Sequence, residues 1–172
     1  MILYLVRHAK SSWDNRGLSD HERPLNDRGL HDAPRMFERL CENAPQPEYI
    51  LSSDAVRAAA TAQFLLQALG LDTDRLSFDA ELYHASPQTI LEAARALPDS
   101  VSVAAIVGHN PGMTYAANDL AENLDLDNLP TCGIVGIESA GKHWREFEGG
   151  MLSYFDYPKN QDGPLIRNPG SA

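Results

Sequence analysis

The sequence predicts an α/β fold: a three-layer α/β/α arrangement around a mixed, mostly parallel sheet of about six strands. Two patterns carry that expectation. Over the first two thirds of the chain, short apolar runs near residues 1–6, 48–52 and 101–107 alternate with stretches of helical spacing, which places helices on both faces of a sheet. From about residue 131 the helical spacing stops. Strand-like runs then follow one another across Ser139-Ala140-Gly141 and Gly149-Gly150, as in antiparallel strands joined by turns.

The first run, Ile2-Leu3-Tyr4-Leu5-Val6, is apolar throughout and reads as a buried strand ending on Arg7-His8. The polar stretch 10–27 follows, and a connection of that length is usually functional. A helix is expected over 28–42, after the turn-like Asn26-Asp27-Arg28-Gly29. Next come a strand at 48–52 and a helix at 54–69. Ser52 or Ser53 is its N-cap, Gly70 its stop, and Val56, Ala60, Phe64 and Ala68 its apolar stripe. A short strand is expected at 76–79. Ser86 and Pro87 open a helix over 87–97, and Asn110 and Pro111 open one over 111–122 in the same way. The strand 101–107 lies between them, and the last strands are expected at 132–138, 143–148 and 151–157. Residues 1–157 are expected to form one domain, in keeping with the usual size of roughly 100–200 residues. Residues 158–172 hold three prolines and two glycines and are expected to be an irregular tail.

Charge narrows the function classes. The net charge is −10, from 14 basic and 24 acidic residues, which disfavours nucleic acid and anionic membranes as partners. No apolar run approaches the roughly 18 residues of a membrane span, and no signal-peptide pattern opens the chain. Cys41 and Cys132 are the only cysteines and are expected to be reduced thiols. A cytoplasmic monomer is the expectation. No H-x-x-x-H or H-x-H spacing occurs among the six histidines, so no metal site is expected.

Cations gather at strand ends. Arg7 and His8 follow the first strand, Arg57 lies in the first helical turn after the second, and His109 follows the third across Gly108. In open α/β sheets ligands bind beyond the carboxyl ends of the strands. If the three strands are parallel neighbours, these four side chains converge. Arginine forks suit phosphoryl oxygens, and a neutral imidazole can take a phosphoryl group and release it again. Neighbouring arginines should lower the pKa of that imidazole. The second histidine would hydrogen-bond the phosphoryl oxygens as charge shifts.

The motifs Leu5-Val6-Arg7-His8-Ala9-Lys10-Ser11-Ser12-Trp13, Arg23-Pro24-Leu25-Asn26 with Gly29, Ser53-Asp54-Ala55-Val56-Arg57-Ala58 with Thr61, and Val107-Gly108-His109-Asn110-Pro111 occur in an order that resembles the histidine phosphatase (phosphoglycerate mutase-like) superfamily. The nearest type is the short SixA-like phosphohistidine phosphatases. The resemblance implies a phosphoglycerate mutase-like fold, a phosphatase without metal or organic cofactor, and His8 as the residue that becomes phosphorylated. It implies that Arg7 and Arg57 clamp the phosphoryl oxygens, that His109 completes the pocket, and that Ser11 is a substrate contact. The chain departs from many relatives at Ala9, where they have Gly, and at Asp14, where mutase-like members have Asn. A carboxylate would repel phosphate, so Asp14 is left out of the site.

Relatives acting on esters supply a proton from a helical insertion after the second motif. Only about twenty residues separate Leu71 from Leu91 here, too few for a sizeable insertion. Glu81 is the candidate proton donor, with Asp20 and Glu22 as loop alternatives. A phosphoramidate demands less of a protein acid, so the expected substrate is a phosphohistidine-bearing protein. The alternatives are a small phosphate ester and, from another class, a non-catalytic phosphate-binding module.

Overall fold

A computed structural model describes residues 1–166 of the chain. In chain order the elements are β1 (Ile2–Arg7), α1 (Asp27–Asn43), β2 (Tyr49–Ser52), α2 (Val56–Leu69), β3 (Leu76–Phe78), α3 (Pro87–Arg95), β4 (Val103–Gly108), α4 (Gly112–Leu120), β5 (Ala121–Glu122), β6 (Ile134–Glu138), β7 (Gly150–Asp156) and β8 (Leu165–Ile166). One sheet runs β3-β2-β4-β1-β6-β7-β5, and β8 also pairs with β7. The pairs β3–β2, β2–β4, β4–β1 and β5–β7 are parallel; β1–β6, β6–β7 and β7–β8 are antiparallel. The sheet is therefore mixed and mostly parallel, with eight strands where about six were expected. The two-residue strands β5 and β8 make most of the difference.

β1 shows why the all-apolar run works. Successive side chains on a strand point to opposite faces. Leu3 and Leu5 enter one core with Ile90 and Ala94 of α3 and Met113, Ala116 and Ala117 of α4. Tyr4 and Val6 enter the other with Met36, Phe37 and Leu40 of α1 and Ala58, Ala62 and Leu65 of α2. A strand covered on both faces needs apolar residues at every position, and each fully buried aliphatic side chain contributes about 1.5–3 kcal/mol. Tyr4 keeps its hydroxyl satisfied by donating to the Pro45 carbonyl at 2.9 Å. Among the described residues no helix is long and apolar enough to cross a membrane.

Three expectations are corrected. Residues 143–148 hold no strand; Trp144–Glu146 form a 3₁₀ turn. Trp144 and Phe147 are both buried at a spacing of three, the period of that helix, and Asp99 Oδ1 with the Val101 carbonyl holds the Trp144 backbone and ring N–H groups. The inward face of α2 is Arg57, Ala58, Thr61, Ala62, Leu65 and Leu66, not the stripe from Val56, which is 41% exposed. An alanine-rich helix has little directional preference of its own. Here Thr61 Oγ1 sets its rotation by accepting from the Ala9 N–H at 3.0 Å. Finally, the stretch expected as an irregular tail contributes β8, whose Leu165 and Ile166 pair with Phe155 and Tyr154 on the edge of β7 that β5 leaves open. Positions 167–172 of that tail lie outside the described residues.

Candidate active site

Parallel register brings the strand exits level. Arg7 of β1 pairs with Gly108 of β4, and Ser52 of β2 with Val107 of β4. The His8 N–H donates to the Gly108 carbonyl at 3.0 Å. His8 and His109 thus leave adjacent strands at the same height, with ring centroids 4.9 Å apart. α2 returns Arg57 over the same end, buried and directed at His8. The four residues expected from the strand ends meet around one cleft of about 290 Å³, which Ser11 also lines.

Hydrogen bonding fixes the tautomer of His8. Its Nδ1 lies 2.7 Å from the Ala9 carbonyl, which can only accept, so Nδ1 carries the proton. Nε2 keeps its lone pair, and the Arg57 Nε–H donates toward it at 3.3 Å. Burial is the first cause lowering the His8 pKa. The Ala9 carbonyl opposes it, the charges of Arg57, Arg7 and Arg23 reinforce it, and the ring is pushed down to about 4. The nucleophilic form is the neutral one, so it persists above that pH and is lost as pH falls through it. The acid limb of kcat/KM, which reports the free enzyme, should therefore lie near pH 4, not near the ordinary histidine value of about 6.5. Rates measured between pH 3.5 and 8 and corrected for substrate ionisation check this; an acid limb above pH 6 would mean that His8 is not so buried and crowded in solution.

His109 is pushed down to about 2 by burial, by His8, Arg57 and His84, with Asp20 opposing. It is a neutral ring, its Nε2 2.9 Å from Ser53 Oγ. Ser53, expected as a helix cap, instead fixes this histidine. Arg7 donates to the Leu129 carbonyl at 2.6 Å and to Asn128 Oδ1 at 3.3 Å. Arg7 Nε and His109 Nδ1 are buried without a partner among the described residues. Unsatisfied buried polar atoms are uncommon in native structures and ask for a ligand or water.

The expected proton donor is corrected. Glu81 lies exposed on the 3₁₀ turn Ala80–Leu82 and does not line the cleft. Only its neighbour Leu82 turns inward. The carboxylate in the cleft is Asp20, which accepts from Arg57 Nη2 at 2.9 Å, Arg23 Nη1 at 2.7 Å and the Tyr83 hydroxyl at 2.7 Å. Desolvation opposes its ionisation, but hydrogen bonds from Tyr83 and Arg23 and the charge of Arg57 outweigh it and hold the carboxyl well below the usual carboxylate range. Asp20 is thus an anion at neutral pH, not an acid.

Arg23 was missed as a site residue. It is 7% exposed and donates through Nε to the Ser12 carbonyl at 2.9 Å and through Nη2 to Ser11 Oγ at 2.6 Å. Ser11 accepts in that bond, so its own O–H remains free to donate. Trp13 is 70% exposed and covers Arg23, its ring centroid 3.2 Å from the guanidinium carbon. The signal lay in the Arg23-Pro24-Leu25 segment itself: Leu25 forms a bridge with Ser11, which folds the polar loop back onto the cleft. Three arginines against one carboxylate leave the cleft cationic in an acidic protein. Among the described residues no group of three His, Cys, Asp or Glu side chains is placed to hold a metal ion.

This geometry has relatives. The chain is 34% identical over 157 residues to an uncharacterised protein of Mycobacterium tuberculosis, covering 86% of this chain and 95% of the relative. It is 32% identical over 154 residues to an uncharacterised chloroplastic protein of Arabidopsis thaliana, covering 84% and 69%. A candidate phosphohistidine phosphatase, SixA, of Agrobacterium tumefaciens superposes with a TM-score of 0.72 at 30% identity, over 80% of this chain and 91% of the other. A protein histidine phosphatase SixA complexed with tungstate gives a TM-score of 0.78 at 21% identity over 92% and 97%, which bears on the fold alone. Residues 3–84, the span from β1 through Arg57 to His84, match the histidine phosphatase superfamily (branch 1). With its strand order, its paired arginine and histidine exits and these relatives in agreement, the chain belongs to the histidine phosphatase superfamily.

Proposed function

We propose that the protein is a phosphohistidine phosphatase that works through a covalent phospho-His8 intermediate on a phosphohistidine-bearing protein. The observation that carries this reading is the unprotonated Nε2 of His8, held at the floor of a cationic cleft by the Ala9 carbonyl and Arg57. A phosphoryl group entering the cleft meets Arg7, Arg57 and Arg23, whose forks suit its oxygens. The His8 Nε2 lone pair attacks phosphorus, and the bond to the leaving atom breaks. Water then attacks the phospho-His8 phosphorus, and the electron pair of the P–N bond returns to Nε2. The Ser11 O–H and an N–H of the neutral His109 donate to the equatorial oxygens as charge shifts. The residues present supply nucleophile and clamp without a metal.

Between β3 and α3 the chain places only the short turn Ala80–Leu82. The mouth is not roofed by an inserted helix there, so a side chain displayed on another protein can reach the floor. The likeness to the Agrobacterium protein supports the same substrate class. A panel comparing a phosphorylated phosphotransfer protein with sugar, nucleotide and aryl phosphates tests it. The phosphohistidine protein should show the highest kcat/KM. Faster turnover of sugar or nucleotide phosphates would replace this reading with a small-molecule phosphomonoesterase.

A further inference from the structure

We propose that His84 is the general acid–base residue of this site and that it extends turnover to phosphate monoesters with poor leaving groups. The inference rests on the reading of His8 as nucleophile and adds a proton path that neither Glu81 nor Asp20 supplies. His84 follows the 3₁₀ turn Ala80–Leu82 and lines the cleft. Its ring lies against Tyr83, centroids 4.1 Å apart with the planes tilted by 54°, and its centroid stands 5.9 Å from that of His109. Its Nε2 is 3.6 Å from Asp20 Oδ2, so the imidazolium form has an ion-pair partner.

The segment that carries the ring is fixed from both sides. Leu82 is buried in the core, and the Ala85 carbonyl packs against Gly112 at the start of α4, where no Cβ would fit. Between these anchors His84 adopts a φ of 55°, a left-handed backbone uncommon outside Gly and taken more often by Asn, Asp and His than by other residues. Such conformations recur at functional sites, held by the structure around them.

Depth in the cleft assigns the role. His8 is 8% exposed at the floor, whereas the His84 side chain is 57% exposed at the mouth. In-line displacement drives the leaving atom away from the nucleophile, here from floor to mouth, towards His84. The other proton-bearing candidates are excluded by their surroundings. Asp20 is held ionised, His109 is held neutral, and Tyr83 commits its proton to Asp20. Lys10 also lines the cleft, but among the described residues no hydrogen bond holds its ammonium in place.

The step balances. As His8 Nε2 bonds to phosphorus, the P–O or P–N bond to the leaving group breaks, and the leaving atom takes the His84 imidazolium proton. The neutral His84 then removes a proton from water as its oxygen attacks phosphorus. The P–N bond to His8 breaks, its electron pair returns to Nε2, and both histidines regain their starting forms.

Asparagine tolerates the left-handed backbone better than other residues with a β-carbon, so His84→Asn removes the proton carrier while keeping the chain path. The test measures kcat/KM, which covers the leaving-group step, for p-nitrophenyl phosphate and phenyl phosphate. Wild type should turn over both. His84→Asn should lose about 100-fold or more on phenyl phosphate, within the range of general acid catalysis, and under about tenfold on p-nitrophenyl phosphate, whose leaving group needs no proton. Equal losses on both substrates, no loss on either, or a wild type inert towards phenyl phosphate overturn the assignment. So does a Lys10→Ala variant that shows the leaving-group dependence in place of His84→Asn. A labelled phospho-His8 adduct formed in the same preparations shows that the nucleophile reading survives such a failure; its absence in wild type overturns both.

Discussion

Replacing His8 by alanine is expected to lower turnover by roughly 10⁴–10⁶-fold, the range seen when a catalytic nucleophile is removed from an otherwise intact site. The variant keeps the cage that recognises the anion. Arg7 stays tied to Leu129 and Asn128, Arg23 to Ser11 and Ser12, and Arg57 to Asp20. Tungstate or phosphate binding should therefore persist, which separates lost chemistry from lost folding. Incubation with a labelled acyl or amidate phosphate donor should give the wild type an acid-labile, base-stable adduct, and the variant none. That combination also excludes a module that merely binds phosphate, because such a module would have no adduct to lose. A variant that still turns over within tenfold of wild type would remove His8 from the mechanism.

What could be read in advance was whatever strand burial enforces. A strand covered on both faces must be apolar along its length, so the polar residues that end β1 and β4 stand out in the sequence. Parallel pairing of β1 with β4 then makes Arg7, His8 and His109 neighbours, and that pairing is the one long-range condition that strand burial does not itself supply. The rest depends on chain paths that periodicity does not encode. Arg23 is placed by a single bridge, Ser11 to Leu25, within a loop that has no repeating pattern. Glu81 and His84 are three residues apart, and chemical type alone favours the acid. The 3₁₀ turn buries Leu82, leaves Glu81 in solvent, and the positive φ at His84 turns its imidazole into the cleft. Trp144 and Phe147 read as strand residues because both are apolar, although their spacing of three already fits a single turn.

Replacing Arg57 by alanine should cost about 2–4 kcal/mol of transition-state stabilisation, by comparison with loss of one oxyanion donor, or roughly 30- to 1000-fold in kcat/KM. Arg57 has three tasks. It offers a fork to the phosphoryl oxygens, it directs a donor at His8 Nε2, and it neutralises Asp20. Lysine keeps the charge but not the planar fork, so Arg57→Lys should recover only part of the loss. The coupling to Asp20 gives the sharper test. Without Arg57 the Asp20 carboxylate still faces the incoming phosphate and repels it, so adding Asp20→Asn should restore some activity to Arg57→Ala while lowering that of the wild type. Such non-additivity is expected only of groups in one network. The pH profile moves with it. The charge of Arg57 helps to hold His8 down, so its removal lets the His8 pKa rise, and the acid limb of kcat/KM should shift to higher pH. A near-normal rate in Arg57→Ala with an unmoved acid limb would show that Arg57 serves the loop through Asp20 and not the phosphoryl group.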